Sequence, residues 1–135
     1  MEPRDIQLLE LRPEIPSAKL TNNMSADERF QNETLRPLAK LQNDLMLAVF
    51  RNYIKKHKNK FYELKLDKRM LYIDNAVQRD IKFRNSLKGI IIGQFTLGEY
   101  ERYIENSSAL NKRMMNIVRE RLQSNIQLLE HNMAY

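Results

Sequence analysis

Side chains that could bind a metal ion or act as nucleophiles are few and scattered in this sequence. Histidine occurs twice, as His57 within a lysine run and as His131 beside Glu130, and cysteine does not occur. Neither histidine has a second histidine or a carboxylate at a spacing typical of a metal site. The sequence also contains no strand–serine–helix elbow and no phosphate-binding glycine loop. We therefore predict no metal, no cofactor and no catalytic residue, and we lean against an enzyme.

One carboxylate and one arginine have a spacing that could form a buried polar site. Asp80 and Arg84 lie four residues apart along a helical stripe that is otherwise apolar, and Asn85 follows directly. A buried ionic pair is a hint of a functional site, although structural pairing is the commoner explanation. We predict that Asp80 neutralises Arg84 in a partly buried network with Asn85. An enzyme with a pocket around these three residues is one hypothesis for the function.

Other polar side chains are predicted to have ordinary structural roles. Glu99 and Arg102 stand three residues apart, as surface pairs on a helix do. Three other polar residues lie close to apolar stripes, and the pattern indicates a buried polar group there less clearly than at Asp80 and Arg84. They are Asn43, Asn111 and Arg113.

The net charge of +6 is concentrated in one segment of the chain. Residues 51–70 contain eight basic and two acidic residues, which accounts for the whole excess. A basic patch with aromatic neighbours is typical of proteins that bind nucleic acid. The sequence therefore predicts, as an alternative function, binding of nucleic acid or another polyanion by the following residues: Lys55, Lys56, Lys58, Lys60, Lys65, Lys68 and Arg69.

The elements that must position these residues are predicted to be helices. Leucine occurs 18 times, whereas valine and threonine occur three times each. β-Branched residues favour strands, and unbranched residues favour helices. Glycine and proline number only three and four, so turns are few and the elements are long. We predict an all-α fold, a compact bundle of four or five helices.

Apolar residues at three- and four-residue steps give the bounds of these helices. A first long helix is predicted from about Thr34 to Lys56, and a last one from about Ser108 to Asn132. Residues 67–95 form either one helix or two, with Asp80 capping the second. Capping-box sequences at 25–28 and 96–99 mark two further helix starts.

The segment 80–95 is predicted to be the central helix of the bundle. Ser86, Gly89 and Gly93 share one face, and small residues at this spacing let another helix approach closely. The alternative is a buried strand, because Ile90–Ile92 is a short apolar run between glycines.

Residues 1–24 are predicted to form an extended or partly disordered arm, and residues 25–135 a single helical domain. Three of the four prolines, Pro3, Pro13 and Pro16, fall in the arm. Proline disfavours helical geometry in the residue before it, so at most a short helical turn is expected at 5–11. In a sharper alternative, the arm lays its leucine and isoleucine side chains into a groove on its own domain or on a neighbour.

Several strings resemble a group of small uncharacterised bacterial proteins. They are LRPEIPS at 11–17, ERFQNETLRPL at 28–38, KLQN at 40–43, RDIKFRN at 79–85, FTL at 95–97 and LNKR at 110–113. The resemblance covers most of the chain, and some members of the group carry the label glyoxalase. Glyoxalases of the known types hold their metal with His and Glu ligands on β-rich modules or with dense His–Asp clusters. This chain matches neither pattern, so a glyoxalase-like enzyme is an alternative function that only the label supports.

The favoured function is a non-enzymatic protein–protein interaction or structural role. Met114 and Met115 give the last helix more apolar width than one partner helix requires, which predicts a homo-oligomer formed through helix faces. The longest apolar run, Ile90–Ile92, is far shorter than the ~20 residues of a membrane span, and no secretory signal opens the sequence. We therefore expect a cytoplasmic protein without a membrane partner.

Overall fold

A computed structural model describes residues 1–15 and 20–130, and every regular element in that part of the chain is a helix. The fold class is all-α, as the composition predicts. The α-helices are α1 Pro3–Leu11, α2 Ala26–Phe30, α3 Arg36–Leu41, α4 Asn43–Lys56, α5 Leu66–Arg79, α6 Ile81–Ile92, α7 Leu97–Ile104 and α8 Ser107–Ser124. A π-helix, Gln31–Leu35, joins α2 to α3, and 3₁₀ helices at Lys60–Glu63 and Ile126–Leu129 follow α4 and α8. These segments are shorter and more numerous than the four or five predicted.

The predicted first long helix is interrupted. Gln42 adopts φ −92° and ψ 6° between α3 and α4, and its side chain donates a hydrogen bond to the Ile90 carbonyl at 3.1 Å. Thr34, the predicted start of this helix, lies inside the π-helix, so the helical structure begins before it. Ser25 does cap α2, because its hydroxyl accepts a hydrogen bond from the Glu28 amide at 3.1 Å.

Residues 67–95 form two helices, and Asp80 caps the second. The Asp80 carboxylate accepts a hydrogen bond from the Phe83 amide at 3.2 Å, as the two-helix alternative predicts. The Ile90–Ile92 run is helical, not a strand. The small-residue face is open within the part of the chain that the structure describes: Gly89 and Gly93 are exposed, and a Cβ added at Gly89 would meet no atom of that part within 4 Å. The prediction of a close helix contact on that face is therefore wrong.

The core is organised around α8. This helix packs against α3, α4, α5, α6, α7 and the π-helix, so α8 holds the central position predicted for 80–95. Met114 and Met115 are 1% and 0% exposed, which means that the extra apolar width of α8 is covered within the chain. The α-helix ends at Ser124, earlier than predicted, and His131 and Asn132 lie outside the described residues.

The N-terminal arm is helical over residues 3–11 and docks on the domain. The helical turn predicted at 5–11 is confirmed and begins earlier, at Pro3, whereas residues 12–15 belong to no regular element. Ile6 and Leu11 are 46% and 63% exposed, whereas Leu9 and Ile15 line a groove together with Pro37 of the domain, so the sharper alternative holds for only part of the apolar side chains of the arm. Pro16 belongs to residues 16–19, which lie outside the described part.

Candidate functional site

Two charged side chains of α1 attach it to the segment between α6 and α7. Arg4 donates hydrogen bonds to the carbonyls of Phe95 at 2.9 Å and Gly93 at 3.1 Å. Asp5, which is 4% exposed, accepts a hydrogen bond from the backbone N–H of Leu97 at 3.1 Å. That amide belongs to the first turn of α7, where the helix dipole favours a carboxylate.

Arg12, just after α1, forms a buried ion pair with Glu99 of α7. Two guanidinium nitrogens lie 2.5 and 2.9 Å from the two carboxylate oxygens, and the side chains are 8% and 7% exposed. The carboxylate also accepts hydrogen bonds from the Thr34 hydroxyl at 2.8 Å and the Thr96 amide at 2.9 Å. Burial raises the pKa of Glu99, but the donors from Arg12, Thr96 and Thr34 outweigh it, so the pKa lies below its usual range.

The sequence predicted only one of the two main interactions of Glu99, the capping box, and not the ion pair. The capping box formed by Thr96 and Glu99 is confirmed, but the prediction that Glu99 pairs with Arg102 at the surface is wrong. Arg102 lies 3.5 Å from a carboxylate oxygen of Glu33 instead. The burial of Glu99 has one signal in the sequence: Glu99 and Tyr103 stand four residues apart and share a helix face, and Tyr103 is buried.

A second side of α7 carries an exposed apolar row. Leu97, Tyr100 and Ile104 are 57%, 47% and 55% exposed. Leu97 and Tyr100 line a groove of about 490 Å³ together with Ile92 and the segment 2–5 at the start of α1. We call this surface the α1–α7 face.

The predicted polyanion patch lies where the chain turns from α4 to α5. Lys58 and Asn59 adopt the left-handed conformation there, with φ of 62° and 59°. The lysines of this corner are all exposed: Lys55, Lys56, Lys58, Lys60, Lys65 and Lys68. In the described part of the chain every ion pair uses an arginine as its cation, so these six lysines have no carboxylate partner there.

Arg69 does not belong with the lysine corner. Its guanidinium donates to the carbonyls of Leu64 and Tyr62, both at 3.0 Å, and lies 5.2 Å from the centre of the Phe61 ring. It also pairs with Glu130 at 2.7 Å, and its side chain is only 15% exposed. Arg69 therefore stabilises the 3₁₀ turn, and its assignment to the patch is corrected.

The predicted polar network at Asp80, Arg84 and Asn85 is not formed. Asp80 accepts a hydrogen bond from the Tyr53 hydroxyl at 2.8 Å, and that bond lowers the pKa of the Asp80 carboxyl. Arg84 instead donates to the side-chain oxygen of Gln78 at 3.0 Å, and Asn85 is exposed. The prediction that Asp80 neutralises Arg84 is wrong, because the N-cap position directs the carboxylate to the Phe83 amide and to Tyr53.

Three further observations concern metal binding, membrane insertion and similarity to known proteins. Within residues 1–15 and 20–130, no three His, Asp or Glu side chains are grouped closely enough to hold a metal ion. No helix in those ranges has both the length and the apolar character needed to cross a bilayer. Comparison with protein-family models, with curated proteins and with solved structures finds no match. The surfaces described above are therefore the basis for a functional proposal.

Proposed function

We propose that this protein acts by non-enzymatic protein–protein interaction, and that the α1–α7 face binds a second copy of the chain. The observation that carries the proposal is the row of Leu97, Tyr100 and Ile104, each exposed over about half of its surface. Isolated exposed apolar residues are normal on a protein surface, but a row at helical spacing is typical of a helix that packs against another.

The charges at the edge of this face favour self-association. On the α1 side, the groove is lined by the exposed Glu2 and by Arg4, whose side chain is 51% exposed and pairs with Asp5 at 3.0 Å, and the exposed Glu101 lies on α7. In a two-fold pair each copy presents the same patch, so a patch with both signs of charge can complement itself. The buried Arg12–Glu99 pair supports this by holding α1 beside α7 before any partner arrives.

Size-exclusion chromatography with light scattering tests the proposal. The wild-type chain is expected to give twice its mass of 16.2 kDa, and the double variant Leu97→Arg/Ile104→Arg is expected to give the monomer mass. Leu66→Arg is the matched control, because Leu66 is 61% exposed on α5, outside this face. A wild-type chain that stays monomeric at high concentration, or a control that dissociates equally, would contradict the proposal.

Polyanion binding is the second candidate, and the lysine corner is the observation that favours it. Six exposed lysines without a carboxylate partner in the described chain create a positive potential that attracts phosphate. Nucleic-acid binding that persists at physiological salt is expected, with a salt dependence that weakens in Lys55→Glu/Lys58→Glu. Lys82→Glu on α6 is the control. Equal binding by the corner variant and the control would rule the corner out.

A further inference from the structure

A polar cleft runs along α8 on the side where the π-helix and α3 pack against it. It consists of two adjoining cavities of about 620 and 690 Å³. Arg113 lines the first cavity and Arg121 lines the second. Both cavities share four wall residues: Gln31, Arg36, Ile117 and Glu120.

Three half-buried arginines of this cleft are each held by a neutral amide oxygen. The pairs are Arg36 Nε with Asn32 Oδ1 at 3.2 Å, Arg113 Nη1 with Gln31 Oε1 at 2.9 Å, and Arg121 Nη1 with Asn43 Oδ1 at 3.2 Å. An amide oxygen orients a guanidinium group but leaves its charge in place. The cleft therefore contains three positioned cations whose charge is not cancelled by these contacts.

The described part of the chain supplies no carboxylate within ion-pair distance of these three arginines. Glu120 lines the cleft, but its carboxylate lies 3.6 Å from Arg119 and its side chain is 55% exposed. Burial and the nearby charge of Arg36 both lower the pKa of Arg121. Like charges that are close together and partly desolvated repel each other, and a bound anion would relieve that repulsion.

The arrangement of the three arginines suits a ligand with more than one anionic group. Arg113 and Arg121 are eight residues apart on α8, which corresponds to a rise of about 12 Å. Arg36 reaches the shared part of the cleft from the opposite wall. A guanidinium group has five N–H donors in a planar fork that matches the oxygens of phosphate or carboxylate. Among the described residues each of these three groups uses only one donor nitrogen on the protein.

The π-helix supplies two of the three amide partners, and the third, Asn43, is the first residue of α4. Gln31 and Asn32 are its first two residues, and their side chains hold Arg113 and Arg36. A π-helical segment is rare and occurs frequently at functional sites. Its buried residue Thr34 bonds to Glu99, so the wall of the cleft that carries the amides is anchored in the core.

We propose that this cleft binds a small molecule carrying two or more phosphoryl groups, with Arg36, Arg113 and Arg121 as the recognition residues. The proposal goes beyond the self-association proposed above and does not depend on it. The lysine corner is a different surface at the turn between α4 and α5, which allows the two cationic regions to be separated by mutation.

Isothermal titration calorimetry at physiological salt tests the proposal with three probes: tripolyphosphate, citrate and inorganic phosphate. Tripolyphosphate is expected to bind most tightly, because it can span two arginines. Arg121→Gln or Arg113→Gln should weaken its binding by roughly tenfold, the effect of losing one charged hydrogen bond. Lys56→Gln/Lys58→Gln is the control and should stay within about twofold, since the corner is not part of the site.

Three calorimetric results would overturn the proposal. Absence of tripolyphosphate binding to the wild type at millimolar concentration, or loss of binding in the lysine control alone, would exclude the cleft. Citrate that binds as tightly as tripolyphosphate would overturn the phosphoryl assignment. Each variant is checked by circular dichroism for the helical spectrum of the wild type.

An NMR measurement on the wild-type chain keeps the test independent of any variant. Tripolyphosphate is expected to shift the side-chain Nε–Hε signals of Arg36, Arg113 and Arg121. Shifts confined to the backbone amides of residues 55–60 would instead place the anion at the lysine corner and overturn the proposal.

Discussion

Removing the charge of Glu99 from its buried ion pair with Arg12 should be one of the most destabilising single substitutions in this chain. Glu99→Gln keeps the length of the side chain and an oxygen that can accept the Thr96 amide, so the capping box of α7 is retained. The variant removes the charge that neutralises Arg12, whose side chain is 8% exposed. The experiment therefore separates the ionic contribution from the helix cap.

The expected magnitude follows from the burial of both partners. Removing one partner of a buried ion pair costs about 3–5 kcal/mol, because the other charge stays buried without a counter-charge. We expect a loss of about 3–5 kcal/mol, because the amide oxygen of Gln can keep one hydrogen bond from Arg12 while its NH2 group, a donor, faces the other donor nitrogen of Arg12. That loss is a large fraction of the roughly 5–15 kcal/mol by which native domains are stable.

Urea unfolding followed by far-ultraviolet circular dichroism measures this loss. The midpoint should fall by about 1 M urea or more, with an unchanged slope. Glu105→Gln, an exposed carboxylate beside α7, is the control and should stay within about 0.5 kcal/mol of wild type. A loss of less than about 1 kcal/mol in Glu99→Gln would refute the reasoning. The double variant Arg12→Met/Glu99→Leu should recover part of the loss, because it leaves no unpaired charge.

The same ion pair predicts how stability depends on pH. The pKa of Glu99 in the folded chain lies below the ordinary value of 4.5, so the unfolded chain takes up a proton at higher pH than the folded chain. The contribution of the pair is therefore complete above about pH 4.5 and is lost as the pH falls through the folded pKa. Wild type should lose stability below pH 4.5 more steeply than Glu99→Gln, and parallel pH profiles would contradict this.

Three further substitutions are expected to have smaller effects. Gly89→Ala should raise the free energy of unfolding by about 0.5–1 kcal/mol in urea unfolding, because the position is helical and the added Cβ meets nothing within 4 Å. Lys58→Gly should raise the thermal midpoint, since Lys58 has a φ of 62° that glycine adopts without strain. Tyr53→Phe should raise the pKa of Asp80 in an NMR titration, because it removes the hydrogen bond that lowers it. An unchanged Asp80 pKa would show that this hydrogen bond is not made in solution.

Features that depend on neighbouring residues were predictable from the sequence. The helix cap at Asp80 and the capping box of α7 involve groups three residues apart, and both are confirmed. The apolar stripes predicted the all-α class, because each stripe buries one face of its own helix. The break at Gln42 was missed, since the hydrogen bond from its side chain goes to Ile90 on another helix.

The candidate sites were less predictable because their contacts join distant parts of the chain. Arg12 and Glu99 are 87 residues apart, and no spacing rule connects them. The arginine cleft combines α8 with amides from a π-helix, which has no recognisable sequence signature here. The sequence did single out Arg113, which lines this cleft, and Asn43, which accepts a hydrogen bond from Arg121, as polar residues near apolar stripes.

The long separation of Arg12 from Glu99 also determines when α1 can fold. During synthesis α1 is made before any of these partners, because its contacts with Gly93, Phe95 and Leu97, like that of Arg12 with Glu99, join residues 87 to 92 positions apart in the chain. Contacts across such separations form late, because the chain entropy of closing the loop is lost before the contact is gained. Docking of α1 therefore has to wait until the segment from Gly93 to Glu99 is in place, and the α1–α7 face forms only at that point.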